Sequence, residues 1–133
     1  MFSLKGKTAV ITGGGSGIGK GIAMGFAAQG ANVQIVELNQ DAGLVVVKEI
    51  TDNGGVASAH GCDVSKQADV LSLFNSIGKI DILVNNAGIA HVGRADTTSE
   101  ADMDRIYNVN VKGAYNCLFA AIPLMKKSGG GAI

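Results

Sequence analysis

The stretch Thr8-Ala9-Val10-Ile11-Thr12-Gly13-Gly14-Gly15-Ser16-Gly17-Ile18-Gly19 constrains the fold more than any other part of the chain. An aliphatic run there ends in a glycine turn that opens directly into Gly21-Ile22-Ala23-Met24-Gly25-Phe26-Ala27. Strand, turn and helix in that order build an anion site. Glycine lets the backbone turn tightly and approach a ligand closely, and the first amides of a helix are unpaired donors at the positive end of its dipole. The implied ligand is a dinucleotide held by its pyrophosphate, with Gly13, Gly15, Ser16, Gly17, Ile18 and Gly19 as contacts. A tight turn that binds nothing would use the same glycines, so the companion motifs must decide.

Apolar runs and helical patterns alternate along the rest of the chain, with strands expected over 8–12, 32–38, 56–62 and 81–84 and helices over 17–29, 40–53 and 66–77. That alternation predicts an α/β, Rossmann-like, doubly wound parallel sheet in three layers, α/β/α. Ala9-Val10-Ile11 and Ile82-Leu83-Val84 are continuous aliphatic runs, as befits strands covered on both faces. Gly30, Gly54-Gly55 and Gly78 close helical stretches. Ser65 is the expected N-cap of the third helix, and Ser99-Glu100-Ala101-Asp102 opens the fourth with a capping-box pattern. From there Met103, Ile106, Tyr107, Val109, Val111, Tyr115, Leu118 and Phe119 present an apolar surface that runs to about Lys127, with Pro123 expected to kink or loosen the last turns. Ser128-Gly129-Gly130-Gly131-Ala132-Ile133 reads as a turn and the first residues of a fifth strand, so the expectation is one domain, 1–133, that stops in mid-element.

Eleven basic residues balance eleven acidic ones, and no basic cluster is longer than Lys126-Lys127, which argues against nucleic acid or an anionic membrane as partner. The apolar stretch 114–125 contains Asn116 and Pro123 and falls short of the ~20 residues a membrane span needs. With no apolar leader at the N-terminus, a soluble, cytoplasmic protein is expected. Cys62 and Cys117 sit in no metal-ligand spacing, and His60 and His91 are the only histidines, so two reduced, packed thiols and no metal are expected.

The glycines fall as T-G-x-x-x-G-x-G, and Asn85-Asn86-Ala87-Gly88 follows the fourth strand. On these two motifs the chain resembles the short-chain dehydrogenase/reductase family, whose members move a hydride between a nicotinamide cofactor and an alcohol or carbonyl. The resemblance covers essentially all of this chain and about half of a typical member. It implies an oxidoreductase that interconverts a secondary alcohol and a ketone, built as a homodimer or homotetramer that pairs through the long helix after Ser99. A non-catalytic nucleotide-binding or interaction module is the alternative from another class. A methyltransferase on a similar sheet would not be expected with Asn85-Asn86-Ala87-Gly88 or Asn110.

Glu37 ends the second strand eighteen positions after Gly19, where a carboxylate can accept from both hydroxyls of the adenosine ribose and repel a 2′-phosphate. Ser16, Leu38 and Asn39 occupy the places where family members that choose NADP usually carry Arg or Lys, so NAD is expected over NADP. A solvated acid at a strand end would look the same. By resemblance Asp63 and Val64 flank the adenine, although a helix-capping aspartate fits the sequence equally well. Asn86, Ala87 and Gly88 tie strand ends together or line the cleft, with Gly88 the better contact because the backbone can approach closely there. The resemblance gives Asn110 the role of holding a water of the proton relay; a plain core or surface amide is the other reading. The family's catalytic serine and Tyr-x-x-x-Lys pair have no counterpart: Tyr107 is followed four residues on by Val111, and Tyr115 by Phe119. Neither tyrosine has a lysine on its own helical face to activate it, so packing is the expected role of both and residues 1–133 alone are expected to be inactive.

Overall fold

A computed structural model describes residues 2–133. The strands are β1 (Thr8–Thr12), β2 (Asn32–Glu37), β3 (Val56–Gly61) and β4 (Ile82–Val84). The helices are α1 (Gly17–Ala28), α2 (Gln40–Asp52), α3 (Gln67–Ile77), α4 (Glu100–Tyr107) and α5 (Gly113–Lys127), the last two joined by one π turn over Asn108–Lys112. All pairings are parallel, in the order β3-β2-β1-β4. The register sets Ile11 opposite Ile35 and Val84, and Glu37 opposite Gly61. Ala132 forms a parallel bridge to Ile82, and its carbonyl accepts from Leu83 N at 3.0 Å, which places the start of a fifth strand beside β4.

The two faces of the sheet bury separate cores, and the alternation along each strand decides which side chain joins which. Ala9, Ile11, Val33 and Ile35 pack under Ala23 and Ala27 of α1 and Val46 and Ile50 of α2. Val10, Val36 and Leu83 point the other way, onto Val70 and Phe74 of α3 and Cys117, Ala120, Ala121 and Met125 of α5. Each such aliphatic or aromatic side chain stabilises the fold by roughly 1.5–3 kcal/mol relative to exposure, so these two layers hold the strand ends in place. At the base, Asp81 accepts from Thr8 N at 2.9 Å and lies near the Lys7 and Lys79 ammoniums, which fixes β1 against β4 from below.

Two sequence expectations are corrected. Lys66, rather than Ser65, occupies the cap position of α3 and gives no side-chain cap; the Ser65 hydroxyl donates to Asp63 Oδ1 at 2.6 Å instead. Asp63 already receives Ser65 N at 3.0 Å, and this local aspartate turn outcompetes a cap. The helix after Ser99 is capped as expected, with Asp102 N donating to Ser99 Oγ, but it is broken in register by the π turn, and α4 buries no residue. The apolar residues expected there divide: Val109 and Leu118 pack against the core, Tyr107, Val111, Tyr115 and Phe119 are each about half exposed, and Asn116, Cys117, Ala120 and Ala121 form the buried face. As expected, α5 runs to Lys127, with Pro123 inside it.

Candidate functional site

A cleft of about 390 Å³ lies above the carboxyl ends of β1–β4, where open α/β sheets take their ligands. The glycine turn forms its floor. Gly13 sits at φ +67°, a backbone conformation that disfavours any side chain, and a Cβ there would stand 2.9 Å from Asn86 Nδ2. A Cβ on Gly15 would stand 2.9 Å from Glu37 Oε1. The turn is thus pulled tight on both sides. Ser16 precedes α1 without capping it, and no hydrogen bond among the described residues engages the N–H groups of Ser16, Gly17, Ile18 or Gly19. Of these, Ser16, Gly17 and Ile18 line the cleft at the start of a twelve-residue helix.

Thr12 and Asn86 lock the two central strand ends together. The Thr12 hydroxyl accepts from Asn86 N and Ala87 N, each at 3.0 Å, and donates to Val84 O at 3.3 Å. One donor and two acceptors is the full capacity of a hydroxyl. In return Asn86 Nδ2 donates to Thr12 O at 3.0 Å and Gly13 O at 3.1 Å.

On the β2 side, Glu37 lines the cleft and its Oε1 accepts from Gly15 N at 2.7 Å, which steadies the turn. On the β3 side, Asp63 Oδ1 is used by Ser65, while Val64 N–H donates to nothing among the described residues. That leaves a free carboxylate oxygen and a free amide side by side. Beyond β4, Asn110 on the π turn holds the loop with both ends of its amide: Oδ1 accepts from Ile89 N at 2.8 Å and Nδ2 donates to Ile89 O at 2.9 Å.

Gly13, Ser16, Gly17, Ile18, Glu37, Leu38, Asp63, Val64, Asn86, Ala87 and Gly88 all line the cleft. Gly15 and Gly19 lie behind it: the first is bonded to Glu37, and a Cβ on the second would run into Gly13 O. Val36, Cys62, Ile89 and Val109 also line it and carried no signal in sequence beyond apolarity. Thr12 and Asn116 were missed as well. Burial pushes the Cys62 thiol up to about 11, with the carboxylates of Asp69 and Asp63 adding to it. Cys117 is raised to about 12 by burial and by Cys62. Neither thiol is a nucleophile at neutral pH.

The short chain dehydrogenase family model matches residues 7–133, and the chain belongs to that family. A 7alpha-hydroxysteroid dehydrogenase of Escherichia coli strain K12 is 42% identical over 98% of this chain and 52% of its own length. A solved structure of a 7 alpha-hydroxysteroid dehydrogenase complexed with NADH and 7-oxo glycochenodeoxycholic acid is 41% identical, with a TM-score of 0.91 over 98% of this chain and 54% of that one. A metagenomic short-chain oxidoreductase in complex with NADP is 33% identical, with a TM-score of 0.91 over 96% of this chain and 60% of that one. The chain spans about half the length of the curated relatives it matches. Among the described residues no helix is long and apolar enough to cross a membrane.

Proposed function

We propose that this chain is the NAD-binding unit of an oxidoreductase that interconverts a secondary alcohol and a ketone. The observation that carries the reading is the cradle formed by Gly13, the free amides of Ser16, Gly17 and Ile18 and the Glu37 carboxylate bonded to Gly15. The cradle has the donors a pyrophosphate needs and an acidic rim suited to a ribose diol. Asp63 and Val64 offer an acceptor and a donor in the pattern that the amino edge of adenine complements. Bound there, the cofactor would supply hydride acceptance and donation; the chain's own residues bind and orient it. Glu37 favours NAD because the negative charge opposes a 2′-phosphate, and the nearest lysine of α1, Lys20, is paired with Glu49 at 2.7 Å.

General acid-base help, worth roughly 10²–10⁴-fold, has no donor of the family's Tyr-x-x-x-Lys type in these residues. Tyr115 packs against Phe119 with ring centroids 6.0 Å apart, and no lysine accompanies it. Residues 1–133 alone are therefore proposed to be a single domain that binds the cofactor without turnover, and Asn110 to support catalysis only alongside residues supplied elsewhere. The half-exposed stripe Tyr107, Val111, Tyr115 and Phe119 favours pairing of two copies along α4 and α5. Two free, buried thiols fit a cytoplasmic setting. Competitive titration with NAD and NADP tests the reading: tighter NAD binding is expected, weakened selectively by Glu37→Ala. Equal or tighter binding of NADP by the unmutated protein would refute the assignment.

A further inference from the structure

Asn116 is fully buried in the first turns of α5, and both ends of its amide are spent on the segment that follows β3. Nδ2 donates to the Val64 carbonyl at 2.8 Å, and Oδ1 accepts from Gln67 Nε2 at 3.2 Å. Three residues earlier on the same helix, Gly113 approaches so closely that a Cβ would stand 2.7 Å from Val64 Cγ2. A buried amide in an apolar face costs stability unless its hydrogen bonds are made, and the packing here spends one of them on a cleft residue, Val64.

We propose that Asn116 is a positioning residue for the adenine end of the cleft. By holding the Val64 carbonyl inward, it holds the Asp63 carboxylate at the rim of the cleft. The peptide plane transmits the effect: the Val64 carbonyl shares its plane with Ser65 N–H, and that N–H donates to Asp63 Oδ1 at 3.0 Å. The inference rests on the cofactor reading above, and it separates the cleft into two independently supported ends. Asn110 steadies the loop after β4, and Asn116 steadies the loop after β3.

The test compares AMP, nicotinamide mononucleotide and NAD binding to the unmutated protein, Asn116→Leu and Gly113→Ala by calorimetry. Loss of one well-formed hydrogen bond to the rim is expected to weaken AMP and NAD about tenfold in Asn116→Leu. Nicotinamide mononucleotide should bind as before. Gly113→Ala, which pushes Val64 without removing a hydrogen bond, should show the same selectivity and decides the matter if Asn116→Leu does not fold. Unchanged AMP affinity in a folded variant, or equal losses for AMP and nicotinamide mononucleotide, would overturn the proposal. If the unmutated protein binds none of the three, the cofactor reading fails separately. Amide exchange then decides: Ser65, whose N–H is held by Asp63 Oδ1, must exchange faster in Asn116→Leu while Asn86 and Ala87 do not, and uniform or absent change refutes it.

Discussion

Replacing Thr12 by valine keeps the shape of the side chain and removes its hydroxyl, which isolates the junction between β1 and β4. Thr12 is 2% exposed, and its hydroxyl accepts from two backbone amides and donates to Val84 O. Valine leaves Ala87 N–H without an acceptor, while Asn86 N–H keeps only the Val84 carbonyl at 3.1 Å. An unsatisfied buried donor costs about 1–3 kcal/mol, and the lost bond to Val84 adds about 0.5–1.5 kcal/mol. Asn86 and Ala87 are only partly buried, so water recovers some of this, and a destabilisation of about 2–4 kcal/mol is expected. Thr12→Ser keeps the hydroxyl and removes one methyl, for about 1 kcal/mol. Urea unfolding of the three proteins, with unchanged slope, measures both numbers. If Thr12→Val lies within about 1 kcal/mol of the unmutated protein, or Thr12→Ser is as unstable as Thr12→Val, the junction does not rest on this hydroxyl.

Gly15→Ala is expected to lower both cofactor affinity and stability, since the added Cβ meets the Glu37 carboxylate at 2.9 Å and the Ala42 backbone at 3.1 Å; fluorescence titration beside a thermal melt checks it. Cys62 and Cys117 should resist a thiol reagent at pH 8 until the protein unfolds, because burial holds both protonated. Their raised folded-state pKa values give a contribution fully present below pH 9 and lost as pH rises through about 11 and 12, so stability should fall across that window. His60 works in the opposite direction. Burial lowers its folded-state pKa below 6.5, so its contribution is complete above that value and declines as pH falls through the folded value; a pH series of melts tests both limbs. Phe119→Asp, on the exposed stripe of α5, should shift sedimentation toward monomer without lowering the melting temperature.

The floor of the cleft was legible in sequence because two independent signals agreed. The period of the apolar residues placed β1 and α1, and the glycines between them marked the turn that lines the cleft. Glu37, Asp63 and Asn86 followed from their positions at strand ends. What could not be read was the use each polar group makes of its neighbours. Ser65 has the chemistry of a cap, and only the geometry of Asp63 shows the hydroxyl already engaged. A π turn changes hydrogen-bond register by one residue and has no residue signature, so the apolar residues after Ser99 could not be assigned to the correct face. Asn116 did leave a trace, an amide inside an apolar helical run, which is where a buried hydrogen bond is most needed.

The junction of Thr12 with Asn86 also sets where the entropy of association falls. Its five hydrogen bonds are complete within the protein itself, so the floor of the cleft is preorganised and a ligand touching only that floor would order almost no backbone. The stretch from Ala90 to Gly93 differs: no hydrogen bond among the described residues engages its backbone, and Val92 is 99% exposed. A ligand that reaches it would order backbone that the protein itself leaves unbonded. A truncated ligand confined to the pyrophosphate and adenosine should bind with a smaller entropic penalty than the whole dinucleotide.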